Sequence, residues 1–240
     1  TTGAFTVTLL DNVLHAAGGD ETSAPEVGLT YTVTDSDGSA TTGTLNVTFN
    51  DDGPSISRNA VAAPTLTVDE TILTTNAGPT SFTGLFTSAG GADGTASTTY
   101  ALGISATGAD SGLDDTATGQ SIYLYMDGND VVGRVGSGGV ADPAGVIAFR
   151  VTNSGGSLSL DQVRAVMHDI DGSTPTDHDD AKTLSLATLI TLTATITDGD
   201  GDTASAVANI GQALSFEDDG PSISRNAVAA PTLTVDETIL

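Results

Sequence analysis

Residues 190–204 read ITLTATITDGDGDTA. Ile190, Leu192, Ala194 and Ile196 alternate with Thr191, Thr193, Thr195 and Thr197. That period of two marks a strand with one buried face. The run stops on Asp-Gly-Asp-Gly-Asp, where glycine permits a sharp reversal and aspartate caps its own backbone. An earlier stretch, Leu29 to Gly38, has the same design: LTYTVTDSDG. Each is followed by a second strand and then by DDGPSIS.

Other alternating rows extend the pattern. Leu29, Tyr31 and Val33 form one inward row, and Leu45, Val47 and Phe49 the next. Ile122, Leu124 and Met126 lead into the Asp127–Asp130 turn, with Tyr123 and Tyr125 outward or covering the opposite sheet face. Ile147, Phe149 and Val151 run into the Asn153–Gly156 turn, and Leu158 and Leu160 return from it. The one helix-like stretch is Asp161 to His168. Many short strands with glycine-rich turns predict an all-β chain of immunoglobulin-like sandwich type.

The 23 residues from Asp51 to Leu73, DDGPSISRNAVAAPTLTVDETIL, recur letter for letter from Asp218 to Leu240, an offset of 218 − 51 = 167. Repeats of this size predict an extended array of whole domains. The expected division is residues 1–52 as the C-terminal part of one repeat and 53–64 as a linker bounded by Pro54 and Pro64. Residues 65–219 follow as a full sandwich domain, and 220–240 as a linker and the first strand of the next repeat. Residues 1–52 are expected to lack partner strands, and the strand at 231–240 to have an unpaired, sticky edge.

Composition narrows the function. Six Lys+Arg face 31 Asp+Glu, a net charge of −25. A field of that sign repels phosphate backbones and anionic lipid, which disfavours nucleic-acid and membrane-surface partners. No run is apolar enough to predict membrane insertion. The absence of cysteine excludes disulfides, thiol catalysis and cysteine-based zinc sites. Aromatics make up only 4% of residues, so the platforms on which sugars stack are scarce. Paired acids of a glycosidase need a cleft and a carboxyl of raised pKa. No Gly-x-Ser-x-Gly elbow with a partnered histidine is evident. The chain is not expected to be an enzyme. His168 and His178 flank an acidic loop without HExxH spacing, and read as loop-packing residues rather than a transition-metal site.

Most aspartates adjoin glycine or another aspartate. Turn formation accounts for some of them. Clustered carboxylates with so few cations to pair with also call for a counter-ion, and hard oxygen donors select calcium. In an extended array the Asp198–Asp202 turn lies at the entrance pole, where Asp51 and Asp52 arrive. One expected calcium cluster is therefore Asp51, Asp52, Asp198, Asp200 and Asp202, with Asp20, Glu21, Asp69 and Glu70 nearby. A second, at the exit pole, draws on Asp169, Asp171, Asp177, Asp179 and Asp180 with Glu217, Asp218 and Asp219, and on Asp236 and Glu237 of the next opening. Asp93, in the GADG turn at Gly91 to Gly94, and the Asp127–Asp130 turn are expected to be plain turns.

The DDGP linker, the LTVDET opening at Leu66–Thr71, the GADG turn and the TDGDGDTA turn at Thr197–Ala204 carry a resemblance. The chain resembles the extender repeats of giant type I-secreted, repeats-in-toxin bacterial adhesins. That resemblance implies an extracellular, cell-surface protein rigidified by calcium, with neighbouring repeats of the same chain as partners. It implies a role in attachment and biofilm formation, with the distal ligand unknown. The alternative expectation is an adhesion module that binds a glycan or peptide through loops 105–120 and 168–180.

Overall fold

The computed structural model describes residues 4–11, 13, 27–169, 180–220 and 231–233. Its first strands, β1 (Val27–Thr34) and β2 (Ala40–Val47), pair antiparallel. Asp35 closes their turn by accepting the Ser39 N–H at 2.9 Å. Leu29, Tyr31 and Val33, expected to point inward, are 49–57% exposed. No strand among the described residues packs on that face.

The main body starts inside the stretch expected as linker. Ser55–Arg58 form β3, which pairs with β6 (Phe86–Ala89). Asn59 extends the attachment: its N–H reaches the Leu85 carbonyl at 2.8 Å. Between them come β4 (Leu66–Asp69) and β5 (Ala77–Ser81). Then follow β7 (Thr95–Ile104), β8 (Ala109–Asp114), β9 (Ser121–Asp127), β10 (Asp130–Val135), β11 (Ile147–Ser154) and β12 (Ser157–Gln162). The last four are β13 (Ala181–Thr183), β14 (Ile190–Asp198), β15 (Thr203–Asn209) and β16 (Leu214–Glu217).

These strands form a two-layered, all-β body. One layer is a six-stranded antiparallel sheet in the order β5-β12-β11-β10-β9-β8. The other is built from β15-β14-β7 and from β13-β16-β4, in which β4 and β16 run parallel. Both layers feed one core. Leu113, Ile122, Leu124, Phe149, Leu158 and Leu160 meet Leu66, Leu102, Ile190, Leu192 and Phe216, all at most 8% exposed. The Phe149 and Phe216 rings lie 5.3 Å apart and tilted, joining the layers. Each such ring removed from water contributes about 2–3 kcal/mol.

The Ile190–Ile196 row is buried as expected. Two local expectations change. Asp161–His168 is not helical. β12 continues to Gln162, the N–H groups of Val163 and Arg164 then both donate to the Ala148 carbonyl, and Val166 bridges to Asp115. In β9, Met126 is 39% exposed whereas Tyr125 is 8% exposed, so Tyr125 covers the outer face of its sheet.

Two long segments set the poles. Short 3₁₀ turns at Ala187–Leu189 and Gly211–Ala213 join β13 to β14 and β15 to β16; β13 pairs antiparallel with β16 from Ala181↔Glu217 to Thr183↔Ser215, and β14 with β15 from Thr191↔Asn209 to Thr197↔Thr203. The Asp198–Asp202 turn therefore sits at one end of this ribbon and Glu217 at the other.

Candidate metal centre

The first pole is built from three turns. β14 ends on Asp198, which is 1% exposed, and Asp202 at the start of the return is 7% exposed. Asp198 Oδ1 accepts N–H groups from Gly201 at 3.1 Å and Asp202 at 2.8 Å, which folds the turn. Its Oδ2 is buried with no hydrogen-bond partner, as are both carboxylate oxygens of Asp200. Neither residue forms an ion pair among the described residues.

The second turn is Gly91–Gly94, directly before β7, whose Thr95 pairs with Asp198. The third is the incoming Asp51–Gly53. Asp52 receives the Ala92 N–H on both oxygens, at 3.0 and 2.9 Å. Close backbone approach makes two glycines necessary. A Cβ on Gly199 would lie 2.6 Å from the Asp93 carbonyl oxygen. Gly91 has φ +67°, and a Cβ there would lie 2.8 Å from the Asp52 carbonyl oxygen.

Five carboxylates converge as a result. One oxygen each of Asp198, Asp200 and Asp202 lie within 4.8 Å of one another, and so do one each of Asp51, Asp93 and Asp200. Asp200 belongs to both groups. Its carboxyl is held above the ordinary carboxylate value, first by the Asp198 side chain, then by burial and by the charge of Asp51. An all-oxygen set contributed by three segments suits a hard cation with six to eight ligands, the preference of calcium. It offers no nitrogen or sulfur to a softer metal.

Asp51, Asp198, Asp200 and Asp202 are thus brought together, with Asp52 one residue away and bonded to the second turn. Asp93, expected as a plain turn residue, belongs to the cluster instead. The pairing of β7 with β14 carries it there, across about a hundred residues of chain. The Asp127–Asp130 turn remains a turn, its two acids bonded to Arg150.

Asp69 and Glu70 lie elsewhere. The parallel register pairs Asp69 with Glu217, at the opposite pole. Asp69 caps a short 3₁₀ turn by accepting the Thr71 N–H at 2.8 Å, and this bonding to Thr71 holds its carboxyl below the ordinary value. Glu70 is 8% exposed. Its Oε1 accepts from the Val166 N–H at 2.7 Å and from Gln162 Nε2 at 2.8 Å, and lies 3.4 Å from His168 Nε2. Burial pushes Glu70 above its ordinary value, opposed by the Val166, Gln162 and His168 contacts. One atom each of Glu70, His168 and Asp218 lie within 4.8 Å of one another.

Asp180 Oδ2 approaches His168 Nδ1 at 3.7 Å. Asp169 is 84% exposed in its side chain and pairs with Lys182 at 2.9 Å, while Asp219 is exposed. Asp20, Glu21, Asp171, Asp177, Asp179, Asp236 and Glu237 lie outside the described residues.

Fold and geometry together define an all-β domain with a dense carboxylate cluster at one pole. Residues 65–211 match the family described as a domain of unknown function, DUF5801, and the chain belongs to that family. No curated protein and no solved structure matches the chain. The matched span contains Asp93, Asp198, Asp200 and Asp202, and Glu70 with His168.

Proposed function

We propose that this chain is a calcium-rigidified extender segment of an extracellular bacterial surface adhesin that serves attachment and biofilm formation. The supporting observation is the convergence of Asp51, from the segment entering the domain, with Asp93 and Asp200 of the domain itself. Asp198 Oδ2 and the Asp200 oxygens, buried without hydrogen-bond partners, are the atoms a cation would complete. Without an ion, like charges push the incoming segment away from the two turns. With calcium, one ion links all three, and the segment before the domain becomes continuous with it. The role is mechanical, and neighbouring repeats of the same chain are the partners.

The test is calcium titration of the metal-free chain, followed by calorimetry and by hydrogen exchange at the Ala92 amide. Calcium is expected to bind and to slow exchange at Ala92, whose N–H is held by Asp52. An unchanged exchange rate and no binding heat would reject the reading.

A further inference from the structure

The two sets of acids at the first pole have only Asp200 in common. Calcium–oxygen bonds run about 2.3–2.6 Å, so two oxygens on one ion stand no more than roughly 5 Å apart. Asp198, Asp200 and Asp202 meet that limit as one set, and Asp51, Asp93 and Asp200 as another. Both Asp200 oxygens are buried without hydrogen-bond partners, which leaves one for each set. Asp198 points to an ion independently. It is 1% exposed, and its Oδ2 has no hydrogen-bond partner although its Oδ1 has two. A buried carboxylate oxygen in that state calls for a counter-charge.

We infer that this pole holds two calcium ions bridged by the Asp200 carboxylate, and that the ion in the Asp198–Asp202 turn controls capture of the incoming segment by the outer one. The inference rests on the calcium reading above and adds to it the number of ions and the order in which they bind.

Charge favours two ions. Fully ionised, the five carboxylates carry −5; one dication leaves −3 and two leave −1. The ions repel each other, but a carboxylate lies between them and the surplus around them stays negative. Three carboxylates per ion, some of them bidentate, reach the six to eight oxygens of calcium together with water.

Chain geometry sets the order. The inner set comes from a single turn, in which Gly201 and Asp202 N–H already hold Asp198 at 3.1 and 2.8 Å. The outer set draws Asp51, Asp93 and Asp200 from three separate stretches of chain. Its ion therefore also bears the entropy of ordering the incoming segment. An ion in the turn fixes Asp200, which the outer ion then finds in place, so filling the inner site tightens the outer one. At limiting calcium the turn is filled while the segment before the domain stays unattached. Attachment follows with the second ion.

The test is calcium titration of the full chain by calorimetry, with hydrogen exchange read at the Gly201, Asp202 and Ala92 amides. The first two report on the turn, and Ala92 reports on attachment through Asp52. In the native chain, calcium should slow exchange in the turn at lower concentration than at Ala92. Asp93→Asn should bind one ion fewer per chain and lose the slowing at Ala92 while keeping it at Gly201 and Asp202. Asp200→Asn should bind two fewer and lose both effects. Circular dichroism checks that Asp200→Asn folds; if it does not, Asp93→Asn decides alone. Loss of a single ion in Asp200→Asn overturns the proposal. So does joint loss of the turn and Ala92 effects in Asp93→Asn, since one ion would then serve the whole cluster. Either result leaves the calcium reading standing, whereas a native chain that binds no calcium removes both.

Discussion

Asp198→Asn separates a turn residue from a calcium ligand. The side chain has two jobs on two different oxygens. Oδ1 accepts the Gly201 and Asp202 N–H groups, and asparagine keeps that carbonyl. Oδ2, buried without a partner, becomes an NH₂ that presents protons to the cluster. An ion that binds only the folded state stabilises it by about 2.7 kcal/mol at a hundred times its dissociation constant. For a domain near 150 residues, each kcal/mol raises Tm by about 2–4 °C, so calcium should raise Tm by roughly 5–11 °C. Asp198→Asn should lose most of that rise. In chelator the order inverts: the variant no longer repels Asp200 and melts at or above the native chain. Scanning calorimetry of both proteins, with chelator and with excess calcium, reads all four values. Equal melting of the native chain in both conditions would refute the reasoning. A variant that loses as much stability in chelator as in calcium would also refute it, since Asp198 would then act only through its turn.

Other changes test neighbouring parts of the structure. Gly199→Ala places a Cβ 2.6 Å from the Asp93 carbonyl oxygen. The resulting shift of the two turns should cost about 1–3 kcal/mol and weaken calcium binding, as calorimetry would show; native affinity would mean the turns do not cooperate. Arg164 holds Asp115, which is fully buried, through contacts of 2.7 and 3.0 Å. Arg164→Ala should therefore destabilise by about 3–5 kcal/mol in urea unfolding, and a loss below about 1 kcal/mol would contradict this. Burial alone would raise the Asp115 carboxyl, but Arg164 and Thr118 outweigh it and hold the group below its ordinary value of 3.8. The folded value thus lies below the unfolded one. The stability this provides is complete above 3.8 and disappears as pH falls through the folded value. Urea unfolding across that acid range should show the loss in the native chain and lack it in Arg164→Ala.

Period-two alternation made the strands legible, because threonine and β-branched residues mark half-buried strands directly. Ile190 to Ile196 is buried at every second position as the sequence implies. The meeting of Asp51 with Asp200 follows the expectation drawn from strand direction in an extended array. Glu70 was not legible, because alternation gives the face of a strand and not its partner. The parallel pairing of β4 with β16 sends it to the far pole. Asp93 failed to show for a related reason: the pairing that positions it is non-local. The helix-like reading of Asp161 to His168 misled because the stretch is an irregular sheet edge. There Val166 is buried against Asp115, while Val163 and Met167 stay exposed.

The identical copies of DDGPSIS bear on how the poles relate. Asp51 and Asp218 occupy the same place in the repeated segment, yet the structure views them from opposite sides. Asp51 faces the domain that follows it, beside Asp93 and Asp200. Asp218 faces the domain that precedes it, beside Glu70 and His168. Under the extender reading, Asp218 serves two domains: its own, beside Glu70 and His168, and the next copy, in the place that Asp51 holds here. A chain lengthened by one full repeat contains such a boundary at Asp218 and Asp219, and calorimetry should count more calcium per chain than in the present one. An unchanged stoichiometry would show that the Asp-Asp pair takes no part in the site.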